Sequence, residues 1–342
     1  MLNKAIKAII CLGVLIFCCA LFWRYQSAIH IRIESFKAER EQKSLYEWMH
    51  KDIDKISELP SLQDDTTQFY AKYRLIAHAG GAIEGKCYTN SKEAFEYSYQ
   101  KGNRIFDADL AFTSDSVLVL RHSWSDYLET EDVDSKSLRR WIDANGQHRT
   151  SQSNVNIPTY DEFSSNLIHK LYTPMNCKDL IMFMQEHQDV YVAPDMKMQS
   201  PDVGYKYFID LCEELDAMDV LDRIIVTVYT FEHYNDICQI YPFSNSTLRQ
   251  FARSHLKGLR TTHNYYELVN FCINNNIHTI SLSACFANDE GVQMLMSKGI
   301  NVYIAVCDYW TDFIEYEKLG FKGAISNSLY ESDYTKIGGN VE

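Results

Sequence analysis

From residue 73 onward, short apolar runs alternate with longer stretches that carry a single apolar stripe. The short runs are YRLIAH (73–78), RIFDADLAF (104–112), VLVLRH (117–122), DVYVAPDMK (189–197), RIIVTVY (223–229), STLRQFA (246–252), IHTISLS (277–283), INVYIAV (300–306) and FKGAISN (321–327). They are rich in β-branched and aromatic residues, and they predict strands. Two of them, 104–112 and 117–122, flank a TSDS turn. Helical patterns lie between the others: SKEAFEYSYQKG (91–102), closed by Gly102, and IPTYDEFSSNLIH (157–169), with Pro158 and Thr159 near its start. Further ones cover 200–220, 233–241, 268–276 and 289–299. This alternation predicts an α/β fold with a mainly parallel sheet. The number of strands suits a (β/α)8 TIM barrel over residues 73–330; a doubly wound open sheet is the rival. No GxGxxG or P-loop pattern follows a strand.

The flanks differ in kind. Ala8 to Trp23 carries no charge, and counting back to Ala5, with Lys7 snorkelling, the run reaches the length of a membrane-spanning helix. Residues 1–28 therefore read as a transmembrane anchor closed by Trp23 and Arg24, with a cleaved signal peptide or a core helix as alternatives. Residues 29–72 read as a juxtamembrane helix and linker, with an imperfect stripe of Ile31, Ile33, Phe36, Leu45 and Met49 that ends at Pro60. Residues 331–342 read as a C-terminal tail, and the polar stretch 123–157 as an elaborated loop. Basic residues stand on both sides of the apolar run and do not choose an orientation. Its very short N-terminal tail favours a single-pass signal anchor with the barrel outside the cytoplasm.

Composition narrows the partners. The chain of 342 residues is 46% hydrophobic, which makes it globular, and its formal net charge of −13 is a poor match to nucleic acid. A small anionic substrate in a locally positive pocket remains compatible. The seven cysteines beyond the apolar run are scattered, form no CxxC and suggest no disulfide framework. No protein partner is inferred.

Asp107 and Asp109 are the chemical oddity. On a strand, residues i and i+2 share one face, so an apolar run holds two carboxylates side by side. Buried and unpaired they would be costly, and a metal ion would account for them.

IAHAGG, YTNSKEAF, FDADLAFTSDSVLVLRH and APDMK, in this order, resemble the glycerophosphodiester phosphodiesterase family, within the phosphatidylinositol phospholipase C-like phosphodiesterase superfamily. The family's His-Arg-Gly is represented by His78 followed by Ala79, its Glu-Asn-Thr by Thr89-Asn90-Ser91, and its Glu-x-Asp by Asp107 and Asp109. Thr113 and Asp115 fill its Thr-x-Asp turn, His122 its second histidine, Asp195 and Lys197 its Glu-x-Lys, and Asn327 stands where an aspartate is usual.

The resemblance implies a TIM barrel with its site at the C-terminal strand ends. There Asp107, Asp109 and Asp195 would hold one divalent cation, Mg²⁺ or Ca²⁺, as suits hard oxygen ligands. His78 and His122 would divide the proton work of phosphodiester cleavage, by hydrolysis or by release of a cyclic phosphate. Lys197 would bind the substrate phosphate or balance the carboxylates. Glu84 could replace the family's missing loop glutamate. Tyr309 and Trp310, like Trp124 and Tyr127, follow strand ends and could line a headgroup pocket or simply pack. The implied substrate is a glycerophosphodiester, a phospholipid headgroup or a phosphate-linked glycan. The alternative is a non-catalytic barrel that binds phosphodiesters or glycans.

Overall fold

The computed structural model describes residues 43–124, 157–250, 253–255, 258–260 and 263–334. The expected transmembrane run, most of the 123–157 loop with Tyr127, and residues 335–342 lie outside them. Among the described residues no helix is long and apolar enough to cross a membrane.

The strands are β1 (Leu75–Ala77), β2 (Ile105–Phe112), β3 (Leu118–Leu120), β4 (Tyr191–Met196), β5 (Ile225–Val228), β6 (Asn245–Gln250), a hairpin of β7 (Arg253–His255) and β8 (Gly258–Arg260), β9 (Thr279–Ser283), β10 (Asn301–Ala305) and β11 (Gly323–Ser326). Parallel pairing runs from β4 through β2, β1, β11, β10, β9 and β6 to β5. A further parallel bridge, Val192 to Ile224, brings β4 beside the start of β5, so the sheet curls round to meet itself as a TIM-like barrel. Two elements stand outside the ring: β3, antiparallel to β2 across the Thr113–Asp115 turn, and the separate β7–β8 hairpin.

Period-2 alternation sorts the strand residues. Phe106, Ala108, Leu110, Val192, Val226, Leu248, Ile280, Val302 and Ile304 belong to the large core shared with the surrounding helices. Ile76, Ile105, Ala193, Ile225, Tyr303 and Ile325 form a separate cluster with Phe69 and Tyr70, which fills the N-terminal half of the barrel. A packed interior of this kind is a core and not a pore.

Three differences from the sequence reading have physical causes. The stretch expected as stalk and linker is packed on the barrel from residue 43 on: Met49, Ile56, Phe69 and Tyr70 are buried, and Leu62 donates its N–H to the Lys298 carbonyl at 2.8 Å. The expected helix 157–169 spans only Tyr160–Ser164, because the side chains of Ser165 and Asn166 both take the Glu162 carbonyl. Residues expected in the tail form a short helix, Glu331–Tyr334, whose Glu331 carboxylate accepts the N–H groups of Arg74 and Leu75 at 2.8 and 2.9 Å. Two of the longer helices went unpredicted, Cys177–Glu186 and Trp310–Lys318; the first carries a capping box of Asn176 and Asp179.

Candidate active site

Two residues beyond the apolar cluster, the same strand faces turn polar. Asp107 and Asp109 follow Ile105 on β2, and Asp195 follows Ala193 on β4, where it pairs in register with Asp109. All three aspartates are buried. Lys197 follows the end of β4, Tyr229 follows β5, and Arg249 sits within β6. Together with His78 and His122, the residues Asp107, Asp195, Lys197, Tyr229 and Arg249 line a cavity of about 290 Å³ at this C-terminal end.

His78 stands where β1 gives way to a tight turn. Ala79, Gly80 and Gly81 have φ of 50, 83 and 89°, and a Cβ on Gly80 would lie 2.6 Å from the Phe95 ring. The turn therefore needs glycine both for its backbone and for its approach to the helix Lys92–Gln100. The ring of His78 is oriented from behind. Its Nδ1 lies 3.0 Å from Asn327 Oδ1, and the Asn327 amide donates to Asp308 Oδ2 at 2.9 Å. With the Asn327 amide turned by Asp308, its oxygen faces His78, so Nδ1 carries the hydrogen and Nε2 is left toward Asp107 Oδ2, 3.8 Å away. His122 is exposed beyond β3. Tyr88 bridges the two imidazoles, its ring centroid 4.7 Å from His78 and 5.8 Å from His122.

The carboxylates are bound one by one. Asp109 Oδ2 accepts the Asn90 amide at 2.9 Å, and its Oδ1 lies 2.8 Å from Lys197 Nζ. Asp195 Oδ2 accepts three donors: Lys197 Nζ at 2.6 Å, Tyr229 Oη at 2.9 Å and Arg249 Nη1 at 2.9 Å. Asp107 Oδ1 accepts Arg249 Nη2 at 2.8 Å, while its Oδ2 is buried with no hydrogen-bond partner among the described residues. Burial pushes the Asp107 carboxyl above the usual range, against the pull of Arg249 and His78. Burial pushes Asp195 the same way, but Lys197 and Arg249 overcome it and hold that carboxyl low. Burial also raises the Tyr229 phenol to about 12, which keeps it a hydrogen-bond donor. Lys197, pressed down by burial, is lifted above its ordinary value by Asp195 and Asp109.

These contacts bear on the divalent ion expected on the three aspartates. Their oxygens do not converge. Among the described residues, the group of three acid or histidine ligand atoms gathered within 4.8 Å of one another is Glu96, Glu186 and His187, on outer helices. Arg249 and Lys197 already bond the aspartates, so the donor set as arranged does not fit Mg²⁺ or Ca²⁺.

The other expected pocket residues lie elsewhere. Glu84 is exposed, and its carboxylate accepts the Tyr172 hydroxyl at 3.0 Å. Trp124 is buried against Phe163, Ala111 and Val119, a satellite core behind the β2–β3 hairpin. Trp310 opens a helix and packs on Phe313 and Tyr334, and Tyr309 is 70% exposed. None of the four lines the cavity. Arg249, Tyr229, Tyr88 and Asp308 went unnoticed in the sequence. For Arg249 there was a signal, a lone cation on a strand whose alternation places it on the same face as Thr247.

No family model matches the chain, and no curated protein matches it. Solved structures do. A glycerophosphodiester phosphodiesterase from Parabacteroides distasonis is 14% identical, with a TM-score of 0.54, over 77% of this chain and 95% of that one. An Oleispira antarctica phosphodiesterase in complex with the product sn-glycerol-3-phosphate is 11% identical, with a TM-score of 0.57, over 78% and 97%. A glycerophosphodiester phosphodiesterase from Thermotoga maritima is 11% identical, with a TM-score of 0.51, over 77% and 97%. At such identities the likeness establishes the fold: the chain has the α/β barrel of these phosphodiesterases.

Proposed function

We propose that this protein is a phosphodiesterase that cleaves a glycerophosphodiester, a phospholipid headgroup or a phosphate-linked glycan. The observation that carries the reading is the meeting of His78 and His122 with Lys197 and Arg249 around one cavity at the C-terminal mouth of the barrel. Two imidazoles can move protons in opposite directions, and Lys197, whose side chain is 20% exposed where that of Arg249 is 3%, can donate to a phosphate oxygen. The fold shared with solved phosphodiesterases, one of them holding sn-glycerol-3-phosphate, supports the same substrate class. The cavity of about 290 Å³ suits a small phosphorylated headgroup.

In this reading the Nε2 of neutral His78 takes the proton of an attacking water. The water oxygen bonds phosphorus, the opposite P–O ester bond breaks, and protonated His122 gives its proton to the departing oxygen. The products are a phosphomonoester and an alcohol. Where the substrate carries a hydroxyl next to the phosphate, that group can attack in place of water: His78 takes its proton, the same ester bond breaks, His122 protonates the departing alcohol, and a cyclic phosphate is formed. Lys197 steadies the non-bridging oxygens, and the carboxylates hold Lys197 and Arg249 in place.

The test is turnover of a panel of diesters, with products identified by phosphorus NMR. His78→Ala and His122→Ala should each lower kcat by about 10²- to 10⁴-fold on alkyl esters. With a p-nitrophenyl leaving group, which needs no proton, His122→Ala should lose far less. Equal losses on both substrates would refute the division of roles. Binding of phosphodiesters without turnover would favour a non-catalytic barrel.

A further inference from the structure

Where the sequence suggests that three aspartates share a metal ion, the structure has them share a guanidinium. Arg249 reaches from β6, 142 residues from Asp107 and 54 from Asp195, and spans both carboxylates with the two arms of its fork. Its side chain is 3% exposed, and those of Asp107 and Asp195 are 0 and 5% exposed. A guanidinium does not lose its proton in a protein, and its planar fork suits two carboxylates better than a point charge would. Asp195 Oδ2, with its three donors, has no room for a further partner. Mg²⁺ binds oxygen at about 2.1 Å and Ca²⁺ at about 2.3–2.6 Å. An ion at that distance from Asp107 Oδ1 and Asp195 Oδ2 would press against the nitrogens that now bond the same oxygens, positive on positive. Lys197 and Arg249 already answer two of the three negative charges, and the third lies beside His78.

We propose that Arg249 is the built-in cation of this site, standing where a divalent ion would otherwise sit, and that the protein binds no divalent metal at the three aspartates. The proposal deepens the phosphodiesterase reading of the same cavity, but its test does not need turnover.

The experiment is calorimetric titration of the chelator-treated full chain with Mg²⁺, Ca²⁺ and Mn²⁺, alongside thermal melting in each ion. The wild type should give no binding heat and no rise in Tm at millimolar metal that Asp109→Asn removes; heat from Glu96, Glu186 and His187 would survive that substitution. Arg249→Ala removes the fork and leaves the carboxylates facing one another, so that variant should gain a site and melt higher with metal than without, as ligand linkage requires. Asp107→Asn added to Arg249→Ala should abolish the gain. One metal bound per wild-type chain and lost in Asp109→Asn would overturn the proposal, and so would a folded Arg249→Ala that gains no site. If Arg249→Ala does not fold, the wild-type titration and the same titration of Arg249→Lys, which keeps one charge and should stay silent, decide the matter. A silent wild type that turns over no diester would sink the phosphodiesterase reading and leave this one standing.

Discussion

The barrel interior has two halves, built on the same strands and only two residues apart. On β2, Ile105 belongs to the lower half and Asp107 to the upper; on β4, Ala193 and Asp195 divide likewise. The lower half is held by apolar burial and close packing, terms that are non-directional and that tolerate small changes of shape. The upper half is held by mutual neutralisation. There Asp107, Asp109, Asp195, Lys197, Tyr229 and Arg249 are each a charge or a donor to one, and removing one strands another. One architecture thus supports a forgiving floor and an unforgiving mouth.

The sharpest way to break this contrast is Arg249→Ala. It leaves Asp107 and Asp195 without their shared partner and should cost about 3–5 kcal/mol of stability, read from urea denaturation. A loss no greater than that of a surface substitution would mean that the carboxylates are not ionised together. Below it comes Ile105→Val in the floor, one methylene fewer in a packed layer, which should cost about 1 kcal/mol and leave the mouth undisturbed. If that variant proved as damaging as Arg249→Ala, the floor would not be forgiving.

The smallest effect is on pH. Asp195 is held below the ordinary carboxylate range in the folded state, so its contribution to stability is complete above the unfolded value of about 3.9 and is lost as pH falls through the folded value. Asp107, pushed up by burial, works in the opposite sense: its contribution is present below the unfolded value and is lost as pH rises through the folded one. The floor cluster contains no carboxylate, so an acid response that depends on Asp195 belongs to the mouth. Denaturation midpoints followed from pH 7 toward pH 3 should therefore fall less steeply for Asp195→Asn than for the wild type. Parallel curves would contradict the assignment of charge.

What could be read in the sequence follows from distance along the chain. The strands carry period-2 or continuous apolar runs, so nearly all were legible. His78, Asp107, Asp109, His122, Asp195 and Lys197 were legible because each ends or interrupts such a run, and all but Asp109 line the cavity. Asp109 lies just behind, clamped by Asn90 and Lys197. Arg249 escaped because nothing local marks its partners, which come from β2 and β4. Trp124 and Trp310 were misleading for the opposite reason. An aromatic after a strand end looks the same whether it faces a ligand or a satellite core, and here Phe163, Phe313 and Tyr334 claim them. Tyr88 is the converse case, an exposed ring in an irregular loop, recognisable only once the two histidines are seen on either side of it.

The floor made by Ile76, Ile105, Ala193, Ile225, Tyr303 and Ile325, stoppered from beneath by Phe69 and Tyr70, has a consequence for traffic. Among the described residues, a chamber sealed at its base opens at its mouth. A molecule that reaches Lys197 and Arg249 must back out past the rim it entered by, so an arriving molecule and a departing one exclude each other. A long polymer cannot be threaded through; it has to offer an end or lie across the opening.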